Sequence, residues 1–151
     1  MKRVRVQASR AELETDSGEV AERMASVEYG YNASRSGSYY DAERDSGAKI
    51  EVKSTFRMIG RDYPEKGRFR IPEPQHKKLL RRDRSGSTFY VFVLFNSNTQ
   101  EKLPQDAFMK RVSPSDLGNL IGSMGGFENS GHNSFDREKK IIWTAIFDSI
   151  S

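Results

Sequence analysis

Three charged residues have the spacing to act together: Asp41, Glu51 and Lys53. The segments around them are predicted to form two adjacent strands, joined by a polar turn that ends in glycine. Because successive side chains of a strand point to opposite faces, Ile50 and Val52 are expected on one face and Glu51 and Lys53 together on the other. Asp41 can point to the same polar face from the preceding strand. Two carboxylates and an ammonium group would then share one patch of sheet.

Such a patch suits a metal ion. Carboxylates held close together raise each other's pKa, which is costly unless a cation joins them. Hard divalent cations such as Mg2+ prefer oxygen ligands and usually keep several waters. A metal beside a lysine suits phosphodiester hydrolysis, because the metal polarises the phosphoryl oxygen and the lysine can orient the attacking water. The alternative is a surface hairpin whose Glu51 and Lys53 form an ordinary exposed pair, which contributes little stability.

Composition narrows the class of protein. The 151 residues fit one compact domain, and 35% hydrophobic against 30% charged residues predicts a modest core under a charged surface. The net charge of +4 and the basic clusters favour a polyanionic partner. The chain has no cysteine, which excludes disulfides and thiolate zinc sites. No apolar run approaches the about 18 residues that cross a bilayer, and no secretory signal is recognisable, so we expect a cytoplasmic protein without a membrane partner.

A helix is predicted from about residue 16 to residue 29. Apolar residues recur there at i, i+4, i+7 and i+11, which makes one stripe along a helix. The stripe consists of Val20, Met24, Val27 and Tyr31. Residue 16 or 17 is a suitable cap, and Gly30 is a suitable end. Upstream, the alternation around Val4 predicts an edge strand or a loose arm, and a helix could begin near Ser9.

Residues 56–67 are basic and irregular. In this segment Arg57, Arg61 and Lys66 could contact phosphates and so position a DNA duplex. The segment could equally be a hairpin tip that touches nothing. Lys77, in a later basic cluster, is a further candidate for a phosphate contact.

Strand, helix and strand are predicted to follow. Residues 68–71 have the pattern of a third strand, and the prolines at 72 and 74 suit the first turn of a helix. The most apolar run of the chain, residues 87–95, predicts a strand buried on both faces. This order indicates a crossover connection, and therefore some parallel strand pairing.

The last third of the chain, residues 96–151, carries less chemical information. The predicted elements are a loop at 96–104, a short strand at 107–112, a helix that starts at 113 and stops at 125–126, a polar loop at 128–138, and a strand or short buried helix at 140–147. Trp143 and Phe147 suit either the core or a dimer surface, and the core is favoured.

Asp41, nine intervening residues and Glu51-x-Lys53 in an apolar strand resemble the pattern of the PD-(D/E)xK nuclease superfamily. The proline that often precedes the aspartate is replaced by Tyr40. The resemblance implies an α/β, restriction-endonuclease-like fold with a mixed central sheet flanked by helices. It implies a hydrolase that cuts DNA with Mg2+, for which Mn2+ can substitute. Asp41, Glu51 and the main-chain carbonyl of Val52 would hold the metal, and Lys53 would act on the attacking water.

The amino-terminal order of motifs is similar to that of archaeal Holliday-junction resolvases, within the same superfamily. A helical glutamate, a Gly-aromatic pair and a segment with arginine and serine precede the metal-binding aspartate, as Glu19, residues 30–31 and residues 35–38 precede Asp41 here. By this resemblance Glu19 supports the metal site; the alternative is a surface glutamate that matches the helix dipole. Glu22 is expected to face water. The candidates for phosphate contact in residues 35–38 are Arg35, Ser36 and Ser38, and the serines suit an ordinary loop equally well.

Superfamily members often carry a glutamine in the helix after the catalytic strands. Gln75 matches that place, and its amide would position water or a phosphate oxygen. His76 beside it is expected at the surface or on a phosphate rather than on a metal. The resemblance also implies a homodimer, since cutting two strands suits a two-fold symmetric enzyme.

The resemblance covers residues 17–95, the motif-bearing core of a single domain spanning 1–151, and leaves 96–151 as a C-terminal extension. A junction resolvase fits the amino-terminal motifs. A restriction or repair endonuclease fits the longer basic loop and the additional last third. A non-catalytic nucleic-acid-binding module on the same fold is the alternative of another class.

Overall fold

A computed structural model describes residues 1–33, 42–43, 49–60, 62–83, 88–97, 103–130, 137–148 and 150. The helices are α1 Arg10–Tyr29, α2 Glu73–Arg82, α3 Pro114–Ser123 and α4 Trp143–Ile146. The strands are β1 Lys2–Arg5, β2 Asn32–Ala33, β3 Ala42–Glu43, β4 Lys49–Phe56, β5 Met58–Ile59, β6 Glu65–Lys66, β7 Arg68–Pro72, β8 Thr88–Phe95, β9 Asp106–Val112, β10 Glu128–Asn129 and β11 Arg137–Ile142.

The strands of the described segments form a central sheet and two smaller ones. The central sheet has six strands in the order β1-β9-β8-β4-β3-β2. In it β4 and β8 run parallel, and the other neighbouring pairs run antiparallel. A three-stranded sheet has the order β10-β11-β7, and β5 pairs with β6 in a hairpin. The prediction of a mixed central sheet flanked by helices is confirmed.

The central sheet is apolar on both faces. On one face, α1 packs over a core cluster that includes Ile50, Val52 and Val91. On the other face, Tyr90 and Phe92 of β8 pack into a second cluster with residues of α2, α3, α4, β7 and β11. Because β8 lies between both clusters, all of its side chains except that of Phe89 are buried. The predicted strand buried on both faces is therefore confirmed.

Helix α1 begins earlier than predicted. Ser9 caps it in a capping box with Glu12, and the backbone leaves the helical region at Asp16. The Asp16 carboxylate accepts a hydrogen bond from the Glu19 amide at 3.0 Å, so it caps the second part of the helix. Gly30 ends α1 with a φ of 72°, a left-handed conformation that glycine adopts without strain.

The apolar stripe of α1 differs from the predicted one. Val20, Met24 and Tyr31 are buried as expected, but Val27 is 79% exposed, and its place on the sheet is taken by Ala21 and Ala25. The buried face of α1 is therefore rotated from the predicted stripe towards Ala21 and Ala25, which leaves Val27 outside it.

The third strand, β7, does not join the central sheet. It pairs with β11 in the three-stranded sheet. The predicted crossover runs from β4 through β7 and α2 to β8, which lies parallel to β4. Before β7, Gly67 approaches the end of β4 so closely that a Cβ at this position would overlap the carbonyl oxygen of Phe56. Residues 56–67 include the β5–β6 hairpin rather than an irregular loop throughout.

The last third of the chain supplies strands to the central sheet and to the three-stranded sheet. β9 lies between β1 and β8, and β11 lies between β7 and β10. The predicted polar loop at 128–138 is wrong in part, because its described ends form β10 and the start of β11. Trp143 and Phe147 are buried in the core, as favoured. Within the described segments, no helix has the length and apolar character to cross a membrane.

Candidate active site

Glu51 and Lys53 lie on one face of β4, and their neighbours Ile50 and Val52 lie on the other, as the alternation predicts. The Glu51 side chain is buried, with 5% of the residue exposed. The Lys53 Nζ atom is 3.3 Å from the Glu51 Oε1 atom. The strand therefore holds a carboxylate and an amine side by side, and both side chains are largely shielded from solvent. The alternative, an exposed surface pair, does not describe them.

Helix α2 brings a third polar group to this pair. The Lys53 amine donates a 2.7 Å hydrogen bond to the amide oxygen of Gln75. Gln75 lies in the first turn of α2, which starts at Glu73 with a proline in its first turn, as predicted. The predicted residues Glu51, Lys53 and Gln75 therefore meet in space, although 22 residues separate Lys53 from Gln75 in the chain. We call these three residues the β4 site.

Tyr90 of β8 lies next to the β4 site. It is the register partner of Glu51 in the parallel pair, and its hydroxyl group is 2.9 Å from the Nδ1 atom of His76. Burial raises the pKa of Tyr90, and the negative charge of Glu51 raises it further, so the hydroxyl keeps its proton. A buried tyrosine hydroxyl needs a polar partner, and His76 is that partner.

The surface position expected for His76 is wrong. The residue is 2% exposed and packs against Tyr90, and burial lowers the pKa of its imidazole because the interior disfavours the charged ring. Helical spacing could have found it, since His76 and Leu79 share the buried face of α2. For Tyr90 the signal was a hydroxyl group in the interior of the apolar run of β8, beyond the threonine that begins the strand.

The ligand types available on β4 fit a hard divalent cation, because the Glu51 carboxylate and the Val52 main-chain carbonyl supply oxygen ligands. Asp41, the other predicted carboxylate ligand, lies outside the described residues. Among the residues that the structure does describe, no three His, Cys, Asp or Glu side chains are grouped to hold a metal. The metal-binding roles of Asp41, Glu51 and Val52 thus remain predictions.

Glu19 lies apart from the β4 site. It is exposed on α1, beside a depression that Glu12 and Arg23 also line. Helix α1 packs on the face of β4 that carries Ile50 and Val52, opposite to Glu51. Glu19 is therefore exposed on the side of α1 away from the β4 site, whereas Glu22, expected to face water, is half-buried. The role of Glu19 at the metal stays a prediction.

The candidate phosphate contacts differ in their surroundings. Arg57 is half-buried, donates to the Asn96 side chain at 3.0 Å and lies over the Trp143 ring, whose indole N–H binds the Arg57 carbonyl. Lys66 is exposed beside the same ring, and Lys77 is exposed 3.6 Å from Glu73. The other candidates lie outside the described residues: Arg35, Ser36, Ser38 and Arg61.

A family model of the PD-(D/E)XK nuclease superfamily domain matches residues 8–148. The chain belongs to the PD-(D/E)xK nuclease superfamily. The predicted family is confirmed, and with it the class of enzyme, a nuclease. This nuclease domain extends beyond residue 95, where the resemblance in the sequence stopped, and includes β9, α3 and β11. A comparison with curated proteins gave no match.

Proposed function

We propose that this PD-(D/E)xK nuclease is an endonuclease that hydrolyses phosphodiester bonds of DNA inside the cell, with Mg2+ as the cation and Mn2+ as a substitute. The observation that supports it is the position of the Lys53 amine, 3.3 Å from the Glu51 carboxylate and 2.7 Å from the Gln75 amide oxygen. A buried acid beside an amine suits metal-assisted hydrolysis, because the acid can hold the metal and the amine can orient water or offset charge.

The Glu51 carboxylate and the Val52 carbonyl would hold the cation together with Asp41. Asp41 directly precedes Ala42 in the chain, and Ala42 pairs with Ile50, the neighbour of Glu51. A divalent cation bound there would polarise the scissile phosphoryl group and offset its charge. On α1, we retain Glu19 as a supporting carboxylate and add the half-buried Glu22 for comparison.

Lys53 has the donors to act on the attacking water. An ammonium group carries three N–H donors and no acceptor. One is donated to Gln75, and Glu51 lies within reach of a second. The third is available to a water or a phosphate oxygen, and it would hold that oxygen in a fixed direction. Gln75 then acts by fixing Lys53, and its amide N–H group would bind water or a phosphate oxygen.

Arginines near the carboxyl ends of β4 and β8 are proposed to contact the DNA backbone. Arg3, Arg5 and Arg57 line a cleft of about 670 Å³. Arg3 pairs with Asp106, which also lines the cleft, so the three arginines exceed the acidic charge there. Guanidinium groups bind phosphate through paired donors, which suits a sugar-phosphate strand. The further proposed contacts are Lys66, Lys77, Arg35, Ser36, Ser38 and Arg61.

The DNA structure that is cut separates the narrower proposals. A Holliday-junction resolvase would prefer four-way DNA, whereas a restriction or repair endonuclease would cut linear or damaged duplex. We also propose a single domain over 1–151 and a homodimer, because paired cuts in two strands suit two-fold symmetry. Sedimentation with and without DNA measures the assembly.

The decisive experiment incubates the purified protein with linear, nicked, flap and four-way DNA in Mg2+, Mn2+ or EDTA. We expect cleavage of at least one substrate with a divalent cation, no cleavage in EDTA, and loss of cleavage in Asp41→Asn and Lys53→Ala. Lys53→Ala should still bind DNA. If every substrate stays intact while DNA is bound, the non-catalytic module replaces the nuclease.

A further inference from the structure

Behind the β4 site, His76 and Tyr90 join α2 to the central sheet. Their rings stack with centroids 5.8 Å apart, and the Nδ1 atom of His76 is 2.9 Å from the Tyr90 hydroxyl group. His76 follows Gln75 on α2, and Tyr90 is the register partner of Glu51. The histidine–tyrosine contact therefore lies between the two elements that carry the β4 site.

The other side of the imidazole is closed by α3 and its end. A Cβ atom at Gly118 would lie 3.2 Å from the Nε2 atom of His76, and the Phe127 ring centroid is 5.7 Å from that of His76. Within the described residues, Nε2 is buried without a hydrogen-bond partner. Because residue 118 is a glycine, α3 can lie close to the imidazole ring without crowding it.

The unpaired Nε2 atom indicates where the imidazole proton is. A buried N–H group without an acceptor is rarer in proteins than an acceptor without a donor. The proton therefore belongs on Nδ1, where it is donated to the Tyr90 oxygen. The Tyr90 hydroxyl hydrogen is then free to point towards the carboxylate of its register partner, Glu51.

We propose that His76 and Tyr90 are positioning residues of the nuclease site: a neutral, Nδ1-protonated His76 binds Tyr90, holds the first turn of α2 on the sheet and thereby keeps Gln75 on Lys53. The inference rests on the proposed role of Glu51 and Lys53 in hydrolysis. Neither His76 nor Tyr90 touches the substrate. Both act through Gln75, so their effect appears in the rate of cleavage rather than in DNA affinity.

The first test compares Tyr90→Phe, His76→Leu and His76→Asn in single-turnover cleavage. Removing a residue that orients a catalytic group costs about 10-fold in rate, and we expect this loss in Tyr90→Phe and His76→Leu with unchanged DNA affinity. The asparagine amide can replace the Nδ1 donor, so His76→Asn should recover most of the rate. Equal rates in all three variants would contradict the proposal.

A double-mutant cycle separates positioning from general packing. If Tyr90 acts through Gln75, the variant Tyr90→Phe/Gln75→Met should cleave no more slowly than Gln75→Met alone. Additive losses would show that Tyr90 acts by another route. Urea unfolding of each variant identifies any that fail to fold. His76→Asn is the variant expected to fold best, because the asparagine amide can still donate a hydrogen bond to Tyr90.

Nitrogen NMR of the histidine rings tests the geometry without any cleavage. We expect His76 to be neutral with its proton on Nδ1, and Tyr90→Phe to shift both the His76 and the Lys53 Nζ signals. A proton on Nε2, or an unmoved Lys53 signal, overturns the proposal. A protein that cuts no DNA but shows these signals would contradict the nuclease function and leave the positioning contact intact.

Discussion

The spacing Glu-x-Lys occurs twice in this chain, at Glu51 and Lys53 in β4 and at Glu138 and Lys140 in β11. In both strands the glutamate is buried, at 5% and 4% exposure, and the lysine two residues later shares its face. The surroundings of the two pairs differ, and the difference shows what makes a functional site from a common spacing.

In β11 an arginine binds both carboxylate oxygens of the glutamate. Arg70 of β7 donates two hydrogen bonds to the Glu138 carboxylate, at 3.1 Å and 3.0 Å. Lys140 is 4.0 Å away with 52% of its side chain exposed, so its amine stays in solvent. The middle residue, Lys139, is buried and donates to the Met124 carbonyl at 2.7 Å. The charges of this strand join β7, β11 and the end of α3, which is a structural role.

In β4 the lysine amine lies beside Glu51 and is held by an uncharged acceptor, Gln75. The Lys53 side chain is 16% exposed, and its acceptor is an uncharged amide rather than a second carboxylate. The middle residue, Val52, packs under α1 and anchors the strand. The uncharged Gln75 fixes the direction of the ammonium group without adding a second negative charge to that of Glu51, so the group can still bind a phosphate.

Replacing each lysine by alanine tests the comparison most strongly. Lys53→Ala removes the donor to the attacking water and should lower single-turnover cleavage by about 10²-fold or more. Lys140→Ala, the matched control, should keep the rate within about twofold, because its amine is solvated. Circular dichroism checks that both variants fold. Similar losses in both would show that the two pairs do not differ as described.

Replacing the arginine partner should affect stability instead of activity. Arg70→Met leaves the buried Glu138 carboxylate without its two donors, which we expect to cost about 1–3 kcal/mol in the free energy of unfolding. Urea unfolding measures the loss. Cleavage at a temperature where the variant is folded should match that of the wild type, and a slow but stable variant would place Glu138 in the active site.

Replacing the amide partner should give the reverse result. Gln75→Met frees Lys53 from its acceptor, and we expect about a 10-fold lower rate with a free energy of unfolding close to that of the wild type. Single-turnover cleavage and urea unfolding of the same preparation measure both. A large loss of stability with a normal rate would reduce Gln75 to a packing residue.

The smallest expected effect is a pH dependence of the free energy of unfolding that comes from His76 on α2, behind the β4 site. Burial lowers the pKa of His76 from its ordinary 6.5, so the unfolded chain takes up a proton that the folded chain refuses. Stability is retained above this pH and lost as the pH falls below it, by at most about 1 kcal/mol between pH 6.5 and 5.5. Urea unfolding at pH 7.5 and 5.5 should show a smaller change in His76→Asn than in the wild type.

Local patterns in the sequence predicted the elements of the β4 site. The alternation of charged and apolar residues was sufficient to place Glu51 and Lys53 on one face and Ile50 and Val52 on the other, since it depends only on strand geometry. Gly30 predicted the end of α1 because glycine adopts the left-handed conformation of a helix end, and the apolar run at 87–95 predicted β8. The family pattern predicted Gln75 at the site, and its hydrogen bond with Lys53 is a contact of the folded chain.

Contacts between distant segments could not be read from such patterns. The role of each glutamate depends on a residue from another element. Arg70 binds Glu138 and gives it a structural role, whereas Gln75 binds Lys53 beside Glu51 and completes the proposed functional site. The burial of His76 depends on Tyr90 and on a glycine of α3, and Arg57 meets Trp143, which lies 86 residues further along the chain. The sequence by itself determined which side chains share a strand face, because that is a property of neighbouring residues. Only the tertiary structure decided which of those side chains are paired with an opposite charge, buried or fixed by a hydrogen bond, because packing brings the partner residues from distant parts of the chain.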